Sequence, residues 1–312
     1  MIENYDEIII SSGGNKGIAL IGALNEFNKN YPIYNIKYFT GCSVGSLISL
    51  IIILGYSIDE LNEILFGINF SLFQDLKLLN LIEKCGLDEG RKFSNFIKAL
   101  MIQKNFNPNI TYNELYIITN KILTITVTNI SKGISEYHNY INTPNMNVFL
   151  SVRMSLNIPI LFSPILYNND YYVDGALLDP FPYYYNKNKN KFGLCLFEKN
   201  EYYFINNINV RFINDLSDSF NYITNLLKII YTNYMKKYYK KIPKNTIYLN
   251  FNYNPESIES FDVSLAERKK IFNIGLHKCQ KFFNIKNKKI RKKYLEKKYF
   301  YLWFKKIKNK FS

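Results

Sequence analysis

A serine flanked by small residues is the first group in this sequence that could do chemistry. Residues 41–45 read Gly-Cys-Ser-Val-Gly, so that Ser43 has Gly41 and Gly45 two positions to either side. A nucleophilic serine on a sharp turn between a strand and a helix needs small neighbours, because the backbone is strained and the helix packs closely. The pattern predicts a nucleophile at Ser43, and the alternative is a glycine-rich turn around a buried serine.

A second glycine-rich turn lies nearer the N-terminus, where residues 12–17 read Ser-Gly-Gly-Asn-Lys-Gly. The spacing of a P-loop is missing, because no Gly-Lys-Ser/Thr follows. The dinucleotide fingerprint also fails, since Ser12 replaces its first glycine and no acidic residue lies about twenty positions further on. What is left is an oxyanion hole formed by the backbone N–H groups of Gly13 and Gly14, with an ordinary tight turn as the alternative.

A serine nucleophile needs a base, and histidine is scarce in this chain. The two histidines are His138, in a polar segment, and His277, at the edge of a basic tail, and we expect both to be solvated. An Asp-Gly pair such as Asp174-Gly175 is by itself most often a hairpin turn. Given the shortage of histidine, the simplest arrangement is a dyad in which Asp174 accepts the Ser43 proton directly.

The elements that must position these groups alternate between strands and helices. Residues 7–11 are predicted to form a buried strand before the first glycine turn, and residues 18–27 a helix after it. Residues 34–40 form the strand that leads to Ser43, and residues 46–54 a helix that is apolar nearly all round. Further along, residues 59–106 read as helical hairpin material, 123–130 and 171–173 as strands, 147–150 as the start of another element and 186–191 as a surface loop. This alternation predicts an α/β fold.

The order of the motifs along the chain is itself informative. Gly-Gly-x-Lys-Gly at 13–17, G-x-S-x-G at 41–45 and Asp-Gly-Ala at 174–176 follow one another at spacings similar to those of the patatin-like phospholipase family. Residues 151–164, with their Ser-Val-Arg-Met-Ser run and later prolines, and residues 261–264 also resemble that family. The resemblance extends over residues 7–275, nearly the whole chain outside the tail.

This resemblance implies a fold, an activity and a set of site residues. The fold would be a three-layer α/β/α sandwich with a mostly parallel central sheet. The family's members are lipid acyl hydrolases that need no metal, and we expect no cofactor. Ser43 would be the nucleophile and Asp174 the second member of a dyad, with Gly13 and Gly14 as the oxyanion hole. Supporting positions of the motifs would be Lys16, Gly17, Gly41, Gly45, Gly175 and Ala176.

Two positions depart from the family's pattern. Ser12 stands where the family has its first oxyanion glycine, which could narrow the turn without removing the N–H donors. Asp179 stands where the family often has Asn, so a carboxylate replaces an amide in the local hydrogen bonding. Neither departure removes a group that the chemistry requires.

The charge of this 312-residue chain is unevenly distributed. Residues 278–312 contain fourteen Lys or Arg and one acidic residue, and therefore carry +13 of the net +15. The first 277 residues hold 26 basic and 24 acidic side chains and are nearly neutral. We therefore divide the chain into an acyl-hydrolase domain at 1–277 and a basic, aromatic-rich tail at 278–312, either helical or disordered. A nucleic-acid-binding surface over the whole protein is not supported.

The tail combines lysines with the aromatic run Tyr-Phe-Tyr-Leu-Trp-Phe at 299–304. If the tail is helical, one face would carry Leu295, Tyr299, Leu302 or Trp303, Ile307 and Phe311. Such a segment suits the headgroup region of an anionic membrane, so we expect peripheral membrane contact through 278–312. The alternatives are a solvated basic tail and a nuclear-localisation or nucleic-acid patch.

Cysteines and targeting signals bear on the compartment. The four cysteines are scattered and form neither a disulfide framework nor a structural zinc site. The acidic start does not resemble a secretory signal, and the longest apolar stretch, at 47–56, is far short of the ~20 residues of a membrane-spanning helix. We expect an intracellular, cytoplasmic protein with peripheral membrane association.

These observations predict a lipid acyl hydrolase of the phospholipase A or lysophospholipase type, whose partner is a phospholipid or another acyl-lipid substrate. The alternative is a catalytically silent or activator-dependent protein that binds membrane lipids. A nucleic-acid-associated protein that acts through the tail is a third hypothesis, which the near-neutral body disfavours. The lipid class and the oligomeric state do not follow from the sequence.

Overall fold

Parallel strands with helices between them form the body of this protein. The computed structural model describes residues 4–67, 70–188, 190–197, 245–250 and 263–308, together with residues 226, 229 and 243. The strands are β1 Glu7–Ile10, β2 Tyr38–Cys42, β3 Gly86–Asp88, β4 Ile122–Asn129, β5 Ile134–His138, β6 Ile160–Phe162, β7 Ile165–Tyr167, β8 Asp170–Asp174, β9 Lys191–Phe197 and β10 Thr246–Asn250. The helices are α1 Gly17–Asn30, α2 Val44–Ile53, α3 Ile58–Gly67, α4 Leu78–Lys84, α5 Arg91–Gln103, α6 Tyr112–Thr119, α7 Val148–Ser155 and α8 Leu265–Lys308.

The central sheet is mostly parallel, which confirms the predicted α/β class. Its strand order is β10-β9-β1-β2-β4-β8-β7, with β5 also paired to β4. The strands from β10 to β4 run parallel, whereas β5, β8 and β7 are antiparallel additions at one side. Strand β1 (EIII) is buried along its whole length, as expected for a strand covered by helices on both faces.

Strand β4 brings the ends of β2 and β8 together. Thr126 of β4 pairs with Cys42 on one edge and with Tyr137 of β5 on the other. The next residue, Val127, pairs with Asp174 of β8 and with Glu136 of β5. Because β5 occupies one edge throughout, β8 must lie on the same edge as β2, directly beyond its carboxyl end. The last residues of β2 and β8 are therefore neighbours.

Helix α8 closes the fold against helix α1. Both helices have a glycine at the contact: a Cβ at Gly22 would lie 2.0 Å from the Phe272 carbonyl oxygen, and one at Gly275 would lie 1.8 Å from that of Ala19. Helix α8 is continuous from Leu265 to Lys308, so the domain boundary expected at residue 277 falls within it. Within the described residues, no helix combines the length and apolarity needed to cross a bilayer.

The first turns of the predicted tail pack on the body. Cys279 and Phe283 are buried, and the Phe283 ring stacks on Phe192 of β9 with 5.8 Å between the ring centroids. The backbone of the tail is helical as far as Lys308, whereas the side chains expected on its apolar face lie outside the described residues, as does Phe311. The amphipathic face of the tail therefore stays a prediction.

Two regions differ from expectation. Residues 59–106 contain the expected helices α3, α4 and α5, but also strand β3, which pairs with β6 about seventy residues later. The strand is only three residues long, too short to give a periodic signal. The loop at 186–191 is not simply a solvated surface: the side-chain amides of Asn186 and Asn188 donate to the buried carboxylate of Glu7.

Candidate active site

Ser43 lies on a sharp turn between strand β2 and helix α2. Its backbone angles are φ 54° and ψ −126°, a region that residues other than glycine rarely occupy and that costs ~1–3 kcal/mol. The flanking glycines permit the turn: a Cβ at Gly41 would lie 2.4 Å from the Gly45 carbonyl oxygen, and one at Gly45 would lie 2.3 Å from that of Ile10. The G-x-S-x-G pattern is thus required by close backbone packing, and the expected strand-turn-helix context is present.

Asp174 is the hydrogen-bond acceptor of the Ser43 hydroxyl. Ser43 Oγ donates to Asp174 Oδ2 over 2.6 Å, and the Ala176 N–H donates to Oδ1 over 2.8 Å. Asp174 is 3% exposed, and this burial raises the pKa of its carboxyl to about 7, although the hydrogen bonds from Ser43 and Ala176 oppose the shift. At Gly175, a Cβ would lie 2.3 Å from the Thr126 carbonyl oxygen. The Asp-Gly pair is therefore packed against β4, at the end of β8.

The glycine turn after β1 lies beside this pair. A Cβ at Gly17, the first residue of α1, would be 2.7 Å from Val44 Cγ2, so the turn contacts the residue next to Ser43. Gly14 has a positive φ of 50° and is exposed, whereas the N–H of Ser12 is already used in a 2.9 Å hydrogen bond to the Pro180 carbonyl. The geometry leaves Gly13 and Gly14 as the donors to test. Lys16 ends the short 3-10 turn and is partly buried.

Two residues that sequence reasoning did not single out support the pair. The hydroxyl of Ser155 accepts the N–H of Ser43 over 2.9 Å, and the Asn157 carbonyl accepts the N–H of Asp174, also over 2.9 Å. Both lie in the segment that resembled the family ahead of Asp-Gly-Ala. The family resemblance pointed to this segment, but the residue types alone did not indicate that it contacts Ser43 and Asp174.

Cys42 is adjacent to Ser43 but is unsuited to act as a nucleophile. It is fully buried, and burial raises the pKa of its thiol, with Asp174 and Asp179 raising it further. Its Sγ lies 4.0 Å from Asp174 Oδ1. Asp179, the position that departs from the family's usual Asn, accepts a 2.7 Å hydrogen bond from the Tyr137 hydroxyl.

The two histidines, which were both expected to be solvated, have different environments. His138 is buried, which makes the expected solvated position wrong. Its Nδ1 lies 3.1 Å from Ser151 Oγ and its Nε2 lies 3.3 Å from Glu136 Oε2. His277 is exposed on α8, as expected. Both ring nitrogens of His138 thus face partners other than Ser43.

The surroundings of the pair also bear on metal binding. In the part of the chain that the structure describes, no group of three or more His, Cys, Asp or Glu side chains is arranged to hold a metal ion. The arrangement around Ser43 is a hydroxyl, a carboxyl of raised pKa and a neighbouring turn with backbone donors. Chemically, it can activate the hydroxyl and stabilise an oxyanion.

Comparison with known proteins gives concordant matches. Residues 8–186 match the family described as patatin-like phospholipase. A protein of Invertebrate iridescent virus 6 described as "Probable lipid hydrolase 463L" is 32% identical over 238 residues, which cover 69% of this chain and 80% of that protein.

Two solved structures share the fold. VipD from Legionella pneumophila superposes with a TM-score of 0.52 at 15% identity, over 90% of this chain and 67% of that one. The type III effector ExoU gives 0.50 at 12% identity, and the chain spans about half of it, 53%. At such identities the likeness concerns the fold alone.

Proposed function

The chain belongs to the family of patatin-like phospholipases, and on that premise we propose that it hydrolyses fatty-acyl esters of membrane lipids through a Ser43–Asp174 dyad. The proposed activity is of the phospholipase A or lysophospholipase type. The observation that carries it is the 2.6 Å hydrogen bond from the Ser43 hydroxyl to Asp174, on a strained turn between a strand and a helix.

In the first step, Ser43 Oγ attacks the ester carbonyl carbon while its proton passes to Asp174 Oδ2. The carbonyl π bond becomes a lone pair on oxygen, and the backbone N–H groups of Gly13 and Gly14 would stabilise that oxyanion. A carboxyl with a pKa near 7 is well matched to this task, because a large share of it is ionised at neutral pH and it is still basic enough to take the proton.

In the second step, the oxyanion collapses and the bond to the leaving alcohol breaks. Asp174 returns the proton to the alkoxide, which leaves an acyl group esterified to Ser43. Water then attacks this acyl-enzyme with Asp174 again taking a proton. The second tetrahedral intermediate releases the fatty acid, the proton goes back to Ser43 Oγ, and both residues return to their starting state.

The decisive experiment compares the parent protein with Ser43→Ala on mixed anionic phospholipid vesicles and measures free fatty acid. We expect release by the parent and a loss on the order of 10⁴-fold in the variant, because no nucleophile remains. Ser49→Ala is the matched control: Ser49 is buried in helix α2, which follows Ser43, and donates to the Gly45 carbonyl.

Equal release by the parent and Ser43→Ala would contradict the proposal. Vesicle binding without release from either protein would instead favour the catalytically silent or activator-dependent lipid-binding hypothesis. Analysis of the products by headgroup and chain would name the lipid class and the ester position.

We further propose that the basic tail holds the protein peripherally on anionic membranes. Support comes from its charge of +13 and from a helical backbone that extends to Lys308. Removal of residues 289–312 keeps the buried Cys279 and Phe283 in place, and should weaken vesicle binding at low salt about tenfold or more. Hydrolysis of a dissolved short-chain ester should not change. Binding that is insensitive to the deletion would contradict this assignment, and binding to DNA that disappears with the tail would favour the nucleic-acid hypothesis.

A further inference from the structure

The C-terminal end of helix α7 contacts both members of the Ser43–Asp174 pair. Ser155 is the last residue of that helix, and Asn157 follows two positions later; both are fully buried. Ser155 Oγ accepts the Ser43 N–H over 2.9 Å, and the Asn157 carbonyl accepts the Asp174 N–H over 2.9 Å. One short segment therefore joins the ends of β2 and β8, which are more than 130 residues apart in the chain.

The Ser155 hydroxyl takes the place of strand pairing that the turn interrupts. Cys42 is the last residue of β2 paired with β4, where its partner is Thr126. The same Ser155 hydroxyl that accepts the Ser43 N–H donates to the Thr126 carbonyl over 2.7 Å. It thus bridges a backbone donor at the turn and a backbone acceptor on β4. A strained turn persists only where its surroundings fix it, and this bridge is one such restraint.

Asn157 is fixed in turn from the other side. Its side-chain Nδ2 donates to the Ser163 carbonyl over 2.8 Å, and the Ser163 N–H donates to the Asp88 carbonyl over 3.0 Å. Asp88 belongs to β3, which pairs with β6. The carbonyl that faces Asp174 is therefore held between helix α7 and the small β3–β6 sheet.

We infer that Ser155 is a positioning residue for the Ser43 nucleophile through its hydroxyl, and that Asn157 positions Asp174 through its backbone carbonyl. This inference rests on the proposed function. The segment sets the spacing of the two reacting groups without touching the substrate, so its loss acts on the chemical step. Misplacement of a reacting group by about 1 Å costs on the order of 100-fold in rate.

The test compares Ser155→Ala with a matched serine in the same helix. Ser151 is also fully buried, lies one turn earlier and contacts His138 Nδ1 over 3.1 Å rather than the dyad. Both variants lose a buried hydrogen bond, so both should lower the Tm. We expect Ser155→Ala to lower kcat about 100-fold with KM changed less than about twofold, and Ser151→Ala to keep kcat within about threefold.

A third variant guards against misfolding. Ser155→Cys keeps the shape and a weak hydrogen-bonding group, so its kcat should lie between those of the parent and Ser155→Ala. Equal losses of kcat in Ser151→Ala and Ser155→Ala would show that the segment is only structural and would overturn the inference. An unchanged kcat in Ser155→Ala would overturn it as well.

Labelling with a fluorophosphonate separates this inference from the proposed function, because the probe reports Ser43 reactivity without a lipid substrate. Slower labelling of Ser155→Ala than of Ser151→Ala supports positioning even if the parent hydrolyses no lipid, in which case only the proposed function fails. Equal labelling rates in the parent and Ser155→Ala overturn the positioning role, whatever the lipid assay shows. No labelling of Ser43 in the parent overturns both.

Discussion

Two buried hydroxyl–carboxylate pairs lie close to each other along strand β2, and only one of them has the surroundings of a catalytic pair. Thr40 Oγ1 donates to Glu7 Oε1 over 2.7 Å, and Ser43 Oγ donates to Asp174 Oδ2 over 2.6 Å. Both carboxylates are at most 3% exposed. The length of the hydrogen bond and the burial of the acceptor therefore do not distinguish the two pairs.

The backbone is the first difference. Thr40 lies within regular β2, paired with Ile9 of β1 on one side and Thr124 of β4 on the other. A substrate carbonyl has no path to a hydroxyl enclosed in this way. Ser43 lies past the last paired residue, in a strained conformation, beside the exposed Gly14 turn. Of the two pairs, the Ser43–Asp174 pair is the one that lies beside a glycine turn.

The carboxylates differ in what they accept. Glu7 also receives the side-chain amides of Asn186 over 2.7 Å and of Asn188 over 2.9 Å, so its lone pairs are committed to the structure. Asp174 accepts the Ala176 N–H over 2.8 Å and the Cys42 thiol at 4.0 Å besides the serine, and burial raises its pKa to about 7. The other donors to Glu7 are two side-chain amides, whereas those to Asp174 are one backbone N–H and a weak thiol donor. The two carboxylates therefore differ in the strength of their other hydrogen bonds rather than in the length of the one from the hydroxyl.

The largest expected effect comes from removing each carboxylate's charge in turn. Asp174→Asn should lower kcat on the order of 10⁴-fold, because an amide cannot take the serine proton. Glu7→Gln should leave kcat within about threefold but lower the free energy of unfolding by ~1–3 kcal/mol, because its amide would face the donors of Asn186 and Asn188. Fatty acid release and urea unfolding measure the two effects.

As a control, both fatty acid release and urea unfolding are measured on each of the two variants, Asp174→Asn and Glu7→Gln. Asp174→Asn should unfold at a urea concentration no lower than the parent, which shows that its loss of activity is chemical. Retained hydrolysis in Asp174→Asn would contradict the role of Asp174 as the base and would favour His138 as the base instead.

The next effect concerns pH. Asp174 must be ionised to act, and burial raises its pKa to about 7, so kcat/KM should fall about tenfold per unit below pH 7 and level off above it. Glu7→Gln should leave the inflection near pH 7 in place, because Glu7 takes no part in the proposed proton transfer. A dissolved short-chain ester assayed between pH 5 and 9 excludes effects of lipid headgroup ionisation. A profile that stays flat down to pH 5 would contradict the role of Asp174.

The same contrast shows what could be predicted from the sequence. The Ser43–Asp174 pair could be predicted from the sequence because the proposed chemistry needs particular residues at particular spacings: Ser43 between glycines, and an Asp-Gly after a strand. Helices α1 and α2 and strand β4 were predicted because their apolar residues follow a period or a continuous run. Close backbone packing around the turn requires glycine at positions 41 and 45, and this requirement is visible in the sequence.

The supporting contacts could not be predicted, because they depend on register between distant segments. Ser155 meets Ser43 across 112 residues, and Asn186 meets Glu7 across 179. The sequence predicts a buried strand at 7–11 and a surface loop at 186–191, and neither pattern indicates that the two segments contact each other. Buried polar groups find partners wherever the fold brings them, so residue type alone does not identify the partner.

The smallest expected effect comes from a substitution in the Thr40–Glu7 pair. Thr40→Val removes the hydroxyl that donates to Glu7 while nearly keeping its shape, in a side chain that is fully buried. Glu7 keeps its two amide donors, so the free energy of unfolding should fall by only ~1–2 kcal/mol. The kcat should stay within about twofold of the parent, because Thr40 lies inside paired strands, away from the turn. Thermal unfolding and fatty acid release on the same preparation measure both quantities.

Thr40→Val is best compared with Ser43→Ala, which lies three residues further along the chain. Thr40→Val should cost stability alone, whereas Ser43→Ala should cost activity, because it removes the proposed nucleophile. A fall in kcat for Thr40→Val beyond tenfold would mean that the Glu7 network sets the position of the turn after β2. The two pairs would then form one mechanical unit, and the distinction between a structural and a catalytic carboxylate in this sheet would fail.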